Sequence, residues 1–113
     1  MMIVRDTLTV ADLRTMAADR FGDMVKAVVD VDREVLAVDA ELHADLESLL
    51  LEDGSAQRSL WGINLYPDLP EDQWLEFDSM INVRPSQGNR SRGVEDEAIR
   101  KRVRAIVDKR LAR

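Results

Sequence analysis

Between Arg84 and Gly93 the chain gathers three arginines, two serines, Gln87 and Asn89 around two glycines. That mixture suits an anion. Guanidinium groups present planar forks to phosphate or carboxylate, hydroxyls and amides add donors, and glycine lets backbone N–H groups approach closely. In this reading Arg90 and Arg92 bind charge, Arg84 anchors the end of a strand, and Ser86, Gln87, Asn89 and Ser91 orient the ligand. The run contains neither G-x-x-x-x-G-K-[ST] nor G-x-G-x-x-G, so no familiar phosphate loop is present. Glu95, Asp96 and Glu97 follow at once and occupy the helix start where an anion would otherwise sit, which leaves the grip to arginine side chains. The competing reading pairs Arg84, Arg90 and Arg92 with those acids, or with Glu76 and Asp78, merely to order the loop.

The second candidate is His43, the single histidine, in the run His43-Ala44-Asp45-Leu46-Glu47. On a helix His43 and Glu47 are neighbours at i, i+4 while Asp45 points away; in a strand all three would share a face. The imidazole has the pKa of a general acid or base, provided that it converges on the loop; otherwise it is half of a surface pair. One histidine does not build a zinc centre, and although Asp30, Asp39 or Asp78 could assist a hard cation, no metal and no cofactor is assigned. The serines at 48, 55, 59, 79, 86 and 91 include none in G-x-S-x-G. Trp61, sharing a face with Ile63 and Leu65, reads as core rather than as a stacking platform.

These residues must be held by a single domain over residues 1–113, a length sufficient for a hydrophobic core. The absence of cysteine excludes disulfide frameworks, thiolate metal sites and cysteine nucleophiles. No apolar window is long enough for a membrane span, which points to a cytoplasmic protein. The net charge of -6 conceals a division: residues 1–83 carry 18 acids against 6 Lys/Arg, and residues 84–113 carry 4 acids against 10. A basic C-terminal quarter beside an acidic body fits contact within the chain or between copies in a homo-oligomer better than contact with nucleic acid, because the acidic body repels phosphates.

Thr9 and Asp12 form the spacing of a capping box, Leu8 and Leu13 flank it, and Gly22 closes the first helix. Met24 to Val31 and Glu34 to Asp39 read as an antiparallel hairpin. Ala40 to Asp53 takes helical spacing, capped by Asp39 and ended by Gly54. Leu60 to Tyr66 is a strand stopped by Pro67, residues 68–73 form an exposed connection or one helical turn, and Leu75 to Arg84 alternates as a further strand. From Asp96 onward Ile99, Val103, Ile106, Val107 and Leu111 make a helical stripe. The order α-β-β-α-β-β-α predicts an α+β fold, a four-stranded mainly antiparallel sheet with helices packed on one face. Asn64, Tyr66, Glu76, Asp78, Asn82 and Arg84 would then collect on the other face, as a solvated surface or as one wall of a site.

The phrases Glu41-Leu42-His43-Ala44-Asp45, Leu60-Trp61-Gly62-Ile63-Asn64-Leu65-Tyr66-Pro67 and Ile81 through Ser91 resemble a family of small bacterial proteins catalogued only as a domain of unknown function. The resemblance covers nearly the whole chain, from the Arg5 region to the last helix. It implies a bacterial cytosolic setting and carries no catalytic assignment. The leading functional reading is a binding or interaction module, possible as a homo-oligomer, whose 84–93 loop holds a small anionic ligand or an acidic protein segment. The alternative is an enzyme acting on a phosphorylated or carboxylated small molecule, with His43 as acid or base.

Overall fold

Thr9 caps the first helix as its spacing demands: its hydroxyl accepts from the Asp12 N–H at 3.1 Å, and the Asp12 carboxylate accepts the Thr9 N–H at 3.2 Å. The computed structural model describes residues 1–112. In chain order these form β1 (Met2–Val4), β2 (Leu8–Thr9), α1 (Val10–Asp19), β3 (Val25–Asp30), β4 (Val35–Val38), α2 (His43–Glu52), β5 (Leu60–Leu65), β6 (Leu75–Glu76), α3 (Glu97–Arg110) and β7 (Leu111–Ala112). Short 3-10 turns at Gln57–Ser59, Glu71–Gln73, Met80–Asn82 and Pro85–Gln87 fill the connections.

The fold is α+β. Its sheet is antiparallel with five strands in the order β1-β4-β3-β5-β6, one more than the sequence pattern predicts, and β2 and β7 add a small parallel pair. The extra strand is β1, too short to show a period of its own. Helices cover both faces, not one. Leu13 and Ala17 of α1 and Val103, Ile106 and Val107 of α3 pack with Val25, Ala27, Val29, Ile63 and Leu65. On the opposite face Leu46 and Leu50 of α2 pack with Val28, Val35, Ala37 and Leu60. The signal for two covered faces is the unbroken apolar run Val35-Leu36-Ala37-Val38, all buried, since a strand with one wet face alternates.

Two boundaries also differ from expectation. Asp39 does not cap α2: Leu42 occupies that position without a side-chain bond, while Asp39, at φ 73°, takes Arg20 at 2.8 Å. The predicted strand from Leu75 to Arg84 joins the sheet only at Leu75 and Glu76. Beyond them the chain leaves the sheet and Ser79 packs directly on Gly62, where a Cβ would come within 2.5 Å of the Ser79 Cβ. Asn82 replaces the lost strand, its Nδ2 donating to the Gly62 carbonyl at 2.9 Å and its Oδ1 accepting the Gly62 N–H at 2.8 Å. Phe77 accordingly packs on one core and Ile81 on the other.

The basic helix α3 lies against the acidic body of its own chain. Arg102 donates to the Val31 carbonyl at 2.6 Å and lies 3.4 Å from Asp32. Lys109 pairs with Glu34 at 3.0 Å, and Arg110 donates to the Glu34 carbonyl at 2.9 Å. Among the described residues no helix is long and apolar enough to cross a membrane.

Candidate functional site

The loop after Val83 is ordered by its own polar side chains. Arg84 and Asn89 face each other as a two-residue bridge, with the Arg84 N–H donating to the Asn89 carbonyl at 2.7 Å and the reverse bond at 3.1 Å. Between them Pro85–Gln87 makes one tight turn, and Gly88 reverses it at φ 80°, a left-handed conformation that favours glycine. Asn89 is buried, and its Nδ2 donates to the carbonyls of Asn82 and Gly93, each at 2.8 Å, while its Oδ1 accepts the Glu95 N–H at 2.9 Å. One asparagine therefore ties both legs of the loop to the start of α3.

The three arginines have three different fates. Arg84 turns inward: its guanidinium lies 4.1 Å from the Trp61 ring centroid and donates to the carbonyls of Gln57, at 2.6 Å, and Leu60. Burial without a contacting carboxylate pushes its pKa below the usual arginine value. Arg92 is spent on Asp78 at 2.6 Å. Arg90 keeps an exposed guanidinium that makes no hydrogen bond or salt bridge among the described residues, and its backbone N–H donates to Glu95 at 2.6 Å. The Ser91 N–H donates to the same carboxylate oxygen at 2.9 Å, so the two backbone donors hold the Glu95 carboxyl below its usual pKa. The loop does present a backbone anion nest, and the anion in it is the protein's own Glu95. Ser86 stands exposed, and Gln87 donates to the Arg58 carbonyl at 3.3 Å.

Beside this loop a groove of about 350 Å³ runs to the first turn of α3, lined by Arg58, Trp61, Gln87, Asn89, Glu95 and Ile99 among others. Arg58, in the turn before β5, has no signal in the sequence pattern. Asn82 stands in for a strand instead of lying on one, and Glu95 pairs with the loop through the backbone N–H groups of Arg90 and Ser91 and not through an arginine side chain.

His43 lies elsewhere. It opens α2, is 7 % exposed, and its Nε2 lies 2.8 Å from the Ile63 carbonyl. Desolvation lowers its pKa, opposed by the Ile63 hydrogen bond and by Asp78. The charges that act on it are Lys26, Asp78 and Arg92, and it is not among the residues lining the groove. Among the described residues no three histidines or carboxylates come together in a group that could hold a metal.

A family model described as Protein of unknown function (DUF5674) matches residues 2–110. The chain belongs to that family. The match takes in β1, the loop, the groove and all of α3. No curated protein and no solved structure matches the chain.

Proposed function

We propose that the protein is a binding module that recognises an acidic segment of a protein partner through the 84–93 loop and the groove beside it. The observation that supports this most is the division of labour in the loop. Asn82, Arg84 and Asn89 point inward and Glu95 takes the loop's backbone donors, together holding an exposed segment in one shape, and the exposed Arg90 guanidinium makes no hydrogen bond or salt bridge among the described residues. A pre-ordered loop loses little entropy on binding, which is the use of such an investment in a surface segment. Arg58, exposed at the groove, is a second cation whose guanidinium makes no hydrogen bond among the described residues. Because Glu95 already fills the backbone donors, recognition falls to arginine side chains, two separate cations that two carboxylates of one acidic segment can meet. Such a segment reaches Arg58 and Arg90 from outside. No observation favours the enzyme alternative, whose base would have to be an imidazole now bonded to a sheet carbonyl.

Titration with a peptide rich in aspartate and glutamate, and separately with inorganic phosphate, tests this by backbone amide shifts. The peptide should perturb residues 86–91 saturably, and Arg58→Ala with Arg90→Ala should weaken it about tenfold or more with the fold intact, since two charge-assisted contacts are lost. Equal binding by the double variant would sink the reading.

A further inference from the structure

The groove of about 350 Å³ beside the 84–93 loop is lined by charges of opposite sign. Its long wall can be followed bond by bond. Gln87 Nε2 donates to the Arg58 carbonyl at 3.3 Å, which sets Arg58 at one end. Gly88 and Asn89 continue the wall, and Asn89 Oδ1 accepts the Glu95 N–H at 2.9 Å, which sets Glu95 and Asp96 at the other. Nearly buried Trp61 and half-buried Ile99, packed in one core, supply the apolar part of the lining. The groove therefore runs from a cation, past amide and apolar side chains, to two carboxylates.

Both ends keep open charge. The Arg58 guanidinium makes no hydrogen bond or salt bridge among the described residues, and its charge reaches only as far as Asp32, already bonded to Ser59 and Arg102. Asp96 Oδ1 caps α3, accepting the N–H groups of Ala98 at 2.8 Å and Ile99 at 3.3 Å. Its Oδ2 makes no hydrogen bond, and the carboxylate no salt bridge, among the described residues. Glu95 is more committed, since the loop takes its Oε2 and Arg90 acts on its charge. A segment that is acidic throughout thus meets attraction at Arg58 and repulsion at Asp96. Such a repulsive element sets specificity alongside the attractive one.

We propose that the groove selects a partner segment of mixed charge, with an acidic side chain on Arg58, an apolar one against Ile99 and a basic one on Asp96. Charge complementarity names this occupant. The inference rests on the acidic-segment reading above and narrows it: acidic residues of the segment outside the groove still reach Arg90, but at the start of α3 a lysine or arginine is required. Asp96 is the specificity-determining residue. At about 350 Å³ the groove is at the small end of ligand clefts, so it holds only this short stretch of the partner.

Two capped peptides test it against the full chain by backbone amide shifts, Glu-Ser-Leu-Ser-Lys and Glu-Ser-Leu-Ser-Glu, in which alternate residues of an extended segment face one way. The mixed peptide should bind about fivefold more tightly, because one exposed attraction replaces one exposed repulsion. Asp96→Asn keeps a capping oxygen for α3 and removes the charge, and should shrink the preference to less than about twofold. If that variant does not fold, Asp96→Ser, also a helix cap, takes its place. Asp19→Asn, on α1, changes the net charge equally and should leave the preference unchanged. Equal binding of both peptides by the wild type overturns this inference while the acidic-segment reading stands. A preference that survives Asp96→Asn, or that Asp19→Asn also removes, overturns it as well. No saturable shift with either peptide overturns both.

Discussion

The two ends of α2 cover polar residues of the same sheet face, and they are finished differently. Beneath the C-terminal end, buried Asp30 accepts from the N–H groups of Asp32 and Arg33, at 2.9 and 3.0 Å, and from the Ser55 hydroxyl at 2.6 Å. Arg33 then links Ser55 at 2.7 Å to Asp53 at 2.6 Å, and Arg5 joins Asp53 from β1's side at 2.7 Å. Both oxygens of Asp30 are used within the chain. Beneath the N-terminal end, Asn64 Oδ1 has no such partner among the described residues. A buried polar network that closes on itself rigidifies a fold, whereas a buried acceptor left unpaired costs free energy.

The comparison can be broken most directly at its finished end. Asp30→Ala leaves three donors without their acceptor and should lower the unfolding free energy by about 3 kcal/mol in urea titrations; a loss under about 1 kcal/mol would mean that the closed network is no framework. Next in size is the pH response of His43. Its folded pKa lies below its ordinary value of 6.5, so in the window beneath 6.5 the unfolded chain binds a proton that the native state refuses. Stability is full above that value and falls as the pH drops through it. Thermal melts between about pH 7.5 and 5 should show this slope in the wild type and a flatter one in His43→Gln, which keeps a donor for the Ile63 carbonyl. Asn64→Leu should then change stability by no more than about 1 kcal/mol, because removing an orphaned acceptor offsets the lost bond to exposed Glu76. A severe loss there would place Asn64 in the framework and erase the contrast.

The smallest effect belongs to the exposed rim of the finished end. Arg5 and Arg33 hold the Asp53 carboxyl at about 2, below its ordinary 3.8. Its contribution is therefore present above about pH 4 and lost as the pH falls toward about 2. Asp53→Asn should remove that part of the acid slope in thermal melts while leaving the neutral-pH response of His43 unchanged.

Much of the frame was legible because its signals are local. Thr9 and Asp12, Gly22, Gly54, Pro67 and the stripe from Ile99 to Val107 each act within a few residues, and the structure places the elements accordingly, whereas Leu111, expected on the same helix, opens β7. Where the reading failed, the deciding partner was distant in sequence. The alternation from Leu75 to Arg84 is genuine, but the Gly62 backbone is met by the Asn82 side chain and Ser79 packs against it, so no continuous strand forms there. Asp39 had the type and position of a cap, and Arg20, with the N-terminus at 3.9 Å, took it instead. In the loop, residue type suggested anion chemistry and position set Arg84 apart at the strand end, while nothing local separated Arg92 from Arg90, whose environments are Asp78 and solvent.

The sequence by itself determined that this chain makes helices and antiparallel strands with apolar faces to bury, that it lacks cysteine chemistry, and that its cations are concentrated after Val83. Those properties follow from composition and short-range spacing, which persist in any conformation. Only the tertiary structure decided that α2 covers a second sheet face, that Glu95 fills the loop's own anion nest, and that Asn64 is buried one hydrogen bond short. Burial and hydrogen-bond satisfaction are relations between residues far apart in the chain, and folding alone brings those residues within reach of each other.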